Sequence, residues 1–237
     1  MRQVPHYLII GNGRVATHIK QYFSLLSLSY STWHRSESYS LLNEVLTRAT
    51  HVLLLISDRA IETFIDEHLH AFRGKRIHFS GALVTDKAYG LHPLMTFSDQ
   101  LYNLEKYQSI PFVIDHDAPS FETLLPGLSN QHARLDKSLK EKYHAMCVLS
   151  GNFSCLLWQK FFNALENEFT LPASLSHYYL KQQTENLMMT PETAFTGPLV
   201  RGDQVTIEKN IAALENDAFQ AVYKSFLTCY EKMKRES

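Results

Sequence analysis

The sequence predicts an α/β domain with a parallel sheet, followed by a domain built only of helices. In the first half of the chain, short apolar runs typical of buried strands alternate with amphipathic segments typical of helices. After Leu135, apolar residues recur at helical spacing and strand patterns are hard to find. We therefore place the domain boundary near Asp136, with a sheet domain over 1–136 and a helical domain over 137–237.

The sheet domain is expected to alternate strands with helices. Strands are predicted at YLII, LSYSTW, VLLLIS, RIHFS, PFVID and HARLD. Helices are predicted over 15–26, 41–48 and 61–72, with a short one within 119–128. Alternation of this kind is typical of parallel strands joined by right-handed helical crossovers.

The helical domain is predicted to begin with one long helix. Residues 138–169 contain no proline and repeat apolar residues at helical spacing, with Gly151 in mid-course. Further helices are predicted over 172–189, 203–216 and 218–234. On an α-helix that turns about 100° per residue, His144 and Gly151 share a face and Asn152 lies about 80° away from His144. His144 and Asn152 are therefore expected to border one cleft.

Composition narrows the classes of partner. The chain has 237 residues, 45% of them hydrophobic, and a formal net charge of -1, so it offers no global attraction for nucleic acid or anionic membranes. No apolar run approaches the roughly 20 residues of a membrane helix, and the first residues lack a secretion signal. We expect a cytoplasmic protein with small-molecule or protein partners. The scattered histidines predict no metal site.

The stretch GNGRVA after the first strand has the pattern Gly11-x-Gly13-x-x-Ala16. In this pattern the first glycine permits a tight turn, the second lets the backbone approach a pyrophosphate, and the small third residue lets helix pack on strand. The alternative is a turn that uses glycine for steric reasons alone. The residues expected to hold the phosphates at the positive end of the helix are Gly11, Asn12, Gly13, Arg14 and Val15.

The end of the second predicted strand indicates which dinucleotide is bound. NAD-binding versions of this motif usually carry an acidic residue there, whereas this chain reads TWHRS over 32–36. Arg35 and Ser36 offer a guanidinium and a hydroxyl where a 2'-phosphate would lie, and Trp33 or His34 could flank the adenine. The sequence therefore predicts NADP(H), with a solvated loop arginine as the alternative for Arg35.

A series of motifs runs through both domains: GNGRVA, ISDRAI, HFSGAL, GLHPLMTF, YHAMCVLSGNF and TGPLVRGD. Together they resemble a family with a Rossmann-like N-terminal domain and a helical C-terminal domain of unknown function. More distantly, the architecture resembles pyrroline-carboxylate reductases, deazaflavin-dependent NADP reductases and β-hydroxyacid dehydrogenases, whose helical domain is similar to that of 6-phosphogluconate dehydrogenase. The resemblance implies NADP-linked redox chemistry and a homodimer through the helical domain.

One departure from these relatives concerns the long helix. The β-hydroxyacid dehydrogenases carry a lysine and an asparagine four residues apart on it, and this chain has no such pair. It places Tyr143, His144 and Asn152 on the corresponding helix instead. The resemblance therefore does not extend to the hydroxyacid dehydrogenase reaction.

Polar residues at strand ends are candidates for binding and catalysis, because ligands of open parallel sheets bind outside the carboxyl ends of the strands. Ser57, Asp58 and Ser80 are predicted to bind cofactor. Reduction of a carbonyl or imine needs a proton donor, and a histidine that titrates near neutrality suits this work, which nominates His92 and His144. The alternatives are a loop position for His92 and a carbonyl-bonded helix position for His144.

The helical domain supplies the remaining candidates. Asn152 could fix a substrate carbonyl or the nicotinamide amide, and Tyr143 is predicted to contact substrate. In the TGPLVRGD segment, Arg201 could bind a substrate carboxylate or form a structural salt bridge, and Asp203 is expected to cap the next helix.

Two functions follow from these residues. The first is an NADP(H)-dependent oxidoreductase acting on a small carbonyl, imine or hydroxyacid-like substrate. The alternative is a regulatory or scaffold protein that binds NADP(H) without catalysis. A Rossmann-like domain that binds another ligand, or none, is the third reading.

Overall fold

Seven strands form one sheet in the order β2-β1-β3-β4-β5-β6-β7, in a computed structural model that describes residues 4–236. The strands are β1 Tyr7–Ile10, β2 Tyr30–Trp33, β3 His51–Leu54, β4 Lys75–His78, β5 Tyr89–Pro93, β6 Phe112–Asp115 and β7 His132–Leu135. All neighbouring strands are parallel except β5 and β6. The predicted α/β fold is confirmed, with β6 and β7 reversed at one edge. The outermost residues of the two predicted domains, 1–3 and 237, lie outside the described residues.

Five helices accompany the strands within this part of the chain. They are α1 Arg14–Leu25, α2 Tyr39–Leu46, α3 Asp58–His68, α4 Leu104–Gln108 and α5 Phe121–Leu124. The helices predicted over 15–26, 41–48, 61–72 and 119–128 correspond to α1, α2, α3 and α5. Strand β5 and helix α4 were not predicted.

Both faces of the sheet are buried. Alternate residues of β1 enter two separate apolar clusters, since successive side chains of a strand point to opposite faces. Tyr7 and Ile9 pack with residues of α1, whereas Leu8 and Ile10 pack with residues of α2 and α3. The sheet is therefore covered on both sides, as in a doubly wound fold.

The predicted long helix is a continuous helical run with a change of winding in its middle. A 3-10 turn at Lys137–Leu139 leads into α6 Lys140–Cys147, a π-helical segment follows at Val148–Phe153, and α7 spans Ser154–Asn167. The angular relation predicted between His144, Gly151 and Asn152 assumed an α-helix throughout. It is wrong because π-helical hydrogen bonds join residues five apart and change the angle per residue.

The remaining helices are α8 His177–Met189, α9 Pro198–Arg201, α10 Gln204–Ala213 and α11 Phe219–Glu236, with a 3-10 turn at Ala173–Ser176 before α8. No strand follows Leu135 in the described part of the chain. Asp203 caps α10 as predicted, because its Oδ1 accepts the Thr206 N–H at 3.1 Å.

The chain forms two compact units, one up to Leu156 and the other from Leu157 onward. The domain boundary predicted near Asp136 follows the last strand and stays a prediction. None of the helices within residues 4–236 combines the length and the hydropathy needed to span a bilayer.

Candidate functional site

The turn between β1 and α1 contains the two glycines of the predicted phosphate-binding motif. Gly11 has φ +123°, which residues with a side chain rarely adopt, and a Cβ there would overlap the Leu55 carbonyl oxygen. The tight turn itself therefore requires glycine at this position. At Gly13 a Cβ would meet no atom of residues 4–236 within 4 Å, so the surface beside this backbone is open.

The first turn of α1 offers uncapped amide groups. The helix begins after Gly13, no side chain of the described residues caps it, and its first turn contains no acidic residue. Such amide groups carry partial positive charge and bind anions. The side chains of Arg14 and Asn12 bind elsewhere: Arg14 Nε donates to Asp99 Oδ1 at 2.9 Å, and Asn12 Oδ1 accepts from Lys20 Nζ at 2.8 Å. The backbone of this turn fits a pyrophosphate group, while the half-buried Val15 packs against the core.

The aromatic residue at the end of β2 belongs to the core. Trp33 is buried, its Nε1 donates to the Ser38 carbonyl at 3.1 Å, and its ring packs against Phe64 with centroids 5.5 Å apart. The suggestion that Trp33 flanks an adenine is wrong because its ring is not accessible.

The loop after β2 presents Arg35 and Ser36 to solvent. Ser36 Oγ lies 2.8 Å from His34 Nδ1. Glu37 Oε2 accepts the His34 backbone N–H at 2.7 Å. Glu37 is an acidic residue of this loop that the sequence prediction passed over, and its carboxylate is directed to the His34 backbone. The guanidinium of Arg35 forms no ion pair within residues 4–236, so it is available to an anionic ligand.

The side chains predicted at the ends of β3 and β4 bind one another. Ser80 Oγ donates to Asp58 Oδ2 at 2.5 Å and accepts the backbone N–H groups of Ala82 and Leu83 at 3.1 and 2.9 Å. These bonds hold the loop after β4 against the first turn of α3. Ser57 precedes that turn, and its side chain makes no capping bond. A cofactor contact by Ser57, Asp58 or Ser80 stays a prediction.

Strand β5 and helix α6 bring histidine and tyrosine side chains together next to the loop that follows β4. His92 lies on β5, and its Nδ1 is 2.8 Å from the Tyr143 hydroxyl of α6. The His144 ring stands edge-on to His92 with centroids 6.1 Å apart. A Cβ at Gly81 would lie 2.7 Å from His144 Cδ2 and 3.1 Å from His92 Nε2. The absence of a side chain at Gly81 therefore lets both imidazoles pack against its backbone, with Nε2 of His92 on the edge of the ring next to Gly81.

The surroundings of the His92 ring hold it neutral at neutral pH. Burial first, and then the electrostatic effects of His144 and Lys140, lower the pKa of His92 to about 4. This differs from the near-neutral value expected from sequence. Burial and a hydrogen bond with Cys147 raise the pKa of Tyr143 above the ordinary tyrosine value. The Tyr143 hydroxyl therefore stays protonated beside a neutral imidazole.

Sequence patterns missed a buried ion pair next to this cluster. Lys140 Nζ donates to Asp115 Oδ1 at 2.7 Å, and both side chains are at most 5% exposed. The Gly90 backbone N–H donates to the other carboxylate oxygen of Asp115 at 2.7 Å. The two charges lie 25 residues apart in the chain, so no local pattern indicates their contact.

His78 is a second buried residue beside the ion pair. It is fully buried at the end of β4, and its Nε2 has no hydrogen-bond partner within the described residues. Burial first, and then the charge of Lys140, lower the pKa of His78 to about 3. The ring is therefore neutral in the folded protein over the whole range in which an exposed histidine titrates.

The stability of the protein should fall as pH falls below about 6.5. The unfolded chain then binds a proton at His78 that the folded chain excludes, so the loss is about 1.4 kcal/mol per pH unit for this group down to its folded pKa. Urea unfolding at pH 7 and pH 5 measures the slope, and the His78→Gln variant should lose less stability than wild type. The exposed His116→Gln change is the control and should keep the wild-type slope. An unchanged slope in His78→Gln would contradict the assignment.

Two predicted residues are not joined to the cluster. Asn152 is exposed in the π-helical segment, and its side chain makes no hydrogen bond within residues 4–236. Arg201 is exposed at the end of α9 and forms no salt bridge with residues 4–236. The roles proposed for both residues stay predictions.

A cleft of about 690 Å³ lies at the opposite edge of the sheet. Its lining includes Thr50 and Gly74, which precede β3 and β4, together with His70 and Arg73. Ligands of doubly wound sheets bind at the carboxyl ends of the strands, whereas this cleft lies at their amino ends. The chemistry-bearing residues at the carboxyl ends therefore define the candidate site.

The fold and the strand-end residues define a Rossmann-like α/β protein with an appended helical unit. The chain belongs to the family described as domain of unknown function DUF2520, which matches residues 110–228. This confirms the resemblance seen in the motifs. No curated protein matches the chain in sequence.

Solved structures with the same fold span nearly the whole chain. BF3122 of Bacteroides fragilis, provisionally assigned as an NADP oxidoreductase, is 19% identical with a TM-score of 0.77, covering 96% of this chain and 98% of that one. Protein TM1727 of Thermotoga maritima is 20% identical with a TM-score of 0.68, covering 97% and 98%. An imine reductase of Myxococcus stipitatus in complex with NADP+ is 11% identical with a TM-score of 0.64, covering 98% and 95%. At these identities the likeness shows the fold.

Proposed function

We propose that the protein is an NADP(H)-dependent oxidoreductase that acts on a small carbonyl, imine or hydroxyacid-like substrate. The observation that carries the proposal is the joint placement of an open, uncapped glycine turn and the His92–Tyr143 pair on strand-end elements of one unit. The fold shared with an imine reductase in complex with NADP+ supports it.

The cofactor would be held by backbone and by the loop after β2. The amide groups around Gly13 would bind the pyrophosphate, because an anion there is stabilised by the positive end of α1. Arg35 and Ser36, both exposed, would bind a 2'-phosphate. The negative charge of Glu37 is compatible with a 2'-phosphate in this loop, since its carboxylate accepts the His34 backbone N–H.

Arg35→Ala should weaken NADPH binding by roughly 1.5–3 kcal/mol, the range for a hydrogen bond to a charged group. Binding of NADH, which lacks the 2'-phosphate, should stay nearly unchanged. Fluorescence titration of both cofactors measures the difference, with Arg59→Ala at another exposed position as the matched control. Equal losses for NADPH and NADH would argue against Arg35 as the 2'-phosphate ligand.

His92 and Tyr143 would handle the proton of the reduction. A bound reduced nicotinamide supplies a hydride to an electrophilic carbon. If Tyr143 donates to Nδ1, the neutral His92 ring carries its own proton on Nε2, the nitrogen on the edge of the ring next to Gly81. Nε2–H can then donate to a carbonyl oxygen or imine nitrogen. The Nε2 proton passes to the substrate as Nδ1 takes the tyrosine proton, and the tyrosinate that remains regains a proton from solvent, so that the two groups act as one relay.

Tyr143→Phe tests this function because it removes the relay hydroxyl and keeps the ring. We expect kcat to fall about 100-fold, the lower range for a positioned acid, with the Kd for NADPH unchanged. The assay is NADPH oxidation with cyclic imines and small ketones, and Tyr178→Phe, which alters an exposed hydroxyl on α8, is the control.

The outcomes separate the two functions. Tight NADPH binding without turnover across the panel would favour the non-catalytic binding protein, an alternative that the missing Lys-x-x-x-Asn pair supports. Turnover that is equal in wild type and Tyr143→Phe would rule out the relay.

We further propose that a second copy of the chain covers the helical unit. The 18-residue helix α11 has no buried residue, although its apolar residues include Val222 and Phe226. Exposed apolar side chains also lie on α8, among them Tyr178 and Met189. Several exposed apolar side chains on the helices of one unit are typical of an interface between subunits. Light scattering of the purified protein measures the assembly, and a monomer at micromolar concentration would contradict it.

A further inference from the structure

The ion pair of Lys140 and Asp115 joins three elements at one point. Lys140 is the first residue of α6, Asp115 is the last residue of β6, and Gly90 on β5 donates its backbone N–H to the same carboxylate. A Cβ at Gly90 would overlap Lys140 Nζ and would lie 2.8 Å from both carboxylate oxygens. The absence of a side chain at Gly90 is therefore what allows the pair to form against β5.

Stability alone does not explain a buried pair of this kind. Removing two charges from water is costly, and a buried pair is often no more stabilising than apolar residues of similar volume. The pair has a geometric consequence that apolar packing would not guarantee, because hydrogen bonds fix distance and direction.

Two of the elements that the ion pair joins, α6 and β5, also carry the two partners of the His92–Tyr143 hydrogen bond. Tyr143 lies three residues after Lys140 on α6, and residues at this spacing are neighbours on a helix surface. His92 lies two residues after Gly90 on β5, so the two residues face the same side of the sheet. Fixing Lys140 against Gly90 therefore sets the height and rotation of α6 relative to β5.

We propose that Lys140 is a positioning residue: its buried ion pair with Asp115 aligns α6 with β5 so that the Tyr143 hydroxyl meets Nδ1 of His92. The role in catalysis rests on the oxidoreductase function proposed above. The groups that face His92 are Tyr143, His144 and Lys140 from α6, and Asp58 from the start of α3. Burial, His144 and then Lys140 lower the pKa of His92, whereas Asp58 opposes them.

The test uses the full-length double variant Lys140→Met with Asp115→Asn, which removes both charges and leaves neither one buried alone. The first readout is nitrogen-15 NMR of the His92 ring, which reports its tautomer and its titration. In wild type we expect one tautomer with the proton on Nε2. In the double variant we expect a mixture of tautomers and an upward shift of the His92 pKa by about one unit, as the ring loses its fixed partner and a neighbouring positive charge.

Two reference variants show how the His92 spectrum should look when the hydrogen bond to Tyr143 is lost and when it is kept. Tyr143→Phe removes the hydrogen bond directly and should give a tautomer mixture similar to that of the double variant. Lys142→Met removes an exposed charge from the same helix and should leave the His92 spectrum as in wild type. A double variant that keeps the single wild-type tautomer and the wild-type titration would overturn the proposal.

Turnover is the second readout. In the double variant kcat should fall at least tenfold while the Kd for NADPH stays within about twofold of wild type, because the phosphate-binding turn lies on other elements. An unchanged kcat beside an altered His92 spectrum would overturn the catalytic part of the proposal. If wild type shows no turnover, the proposed function fails, and the NMR comparison still decides whether Lys140 positions Tyr143.

Discussion

Gly13→Asp should lower NADPH affinity roughly 1,000-fold, about 4 kcal/mol, without unfolding the protein. Gly13 is the N-cap of α1 with φ -77° and ψ -177°, an extended conformation that any residue adopts, and a Cβ there meets nothing within 4 Å among the described residues. Aspartate is a somewhat better N-cap residue than glycine, so the helix itself gains roughly a few tenths of a kcal/mol. The same carboxylate would occupy the amide groups and repel a pyrophosphate.

Substitution of Gly11 should lower the stability of the fold, whereas substitution of Gly13 should lower the affinity for NADPH. Gly11→Ala places a side chain at φ +123° and against the Leu55 carbonyl, so it should destabilise the fold by about 3 kcal/mol or more. Urea unfolding and NADPH fluorescence titration of both variants separate stability from binding. Undiminished NADPH affinity in Gly13→Asp would show that the turn serves only the fold, and the proposed cofactor site would be lost with it.

Local sequence patterns predicted the elements that carry a signal in their own residues. Strands β1 and β3 are short apolar runs, amphipathic helices lie between the first four strands, and the glycine turn follows β1 at the usual spacing. Asp203 was predictable as a cap for the same reason, because its partner Thr206 is three residues away. In the Asp203 cap, both the pattern and the contact lie within one helical turn.

Strand β5 escaped prediction because its residues look unsuited to a strand. Gly90 and Pro93 are both depleted in strands, and the segment is only five residues long. The structure gives each a reason: Gly90 makes room for an ion pair, and Pro93 lies at the end of the strand where β5 pairs with β6. The residue that breaks the usual preferences of a strand, Gly90, thus lies at a position with a role in the candidate site.

The candidate site was predicted in part. His92, His144 and Tyr143 were nominated one by one, but their contact depends on how α6 packs on the sheet, which periodicity does not determine. The pair of Lys140 and Asp115 carried no local signal at all, because each charge alone resembles a solvated surface residue. The low pKa of His92 likewise follows from burial, which only the packed structure defines.

The single change Lys140→Met should be among the most destabilising substitutions in the chain. It leaves the carboxylate of Asp115 buried without its counter-charge, and breaking a buried pair in this way costs roughly 3–5 kcal/mol. Asp115→Asn should also destabilise, since it leaves the ammonium unpaired. The double variant should be more stable than either single variant, because it leaves no uncompensated charge.

Urea unfolding of wild type, the two single variants and the double variant completes a thermodynamic cycle for the ion pair. The control is Lys142→Met, which removes an exposed charge and should have a free energy of unfolding within about 0.5 kcal/mol of wild type. The sign of the coupling is the decisive quantity. If the losses in the two single variants add up in the double variant, the two charges do not stabilise one another in the folded protein. The close, doubly bonded carboxylate predicts strong non-additivity instead, since Asp115 accepts from both Lys140 and the Gly90 backbone and cannot recover its solvation by moving.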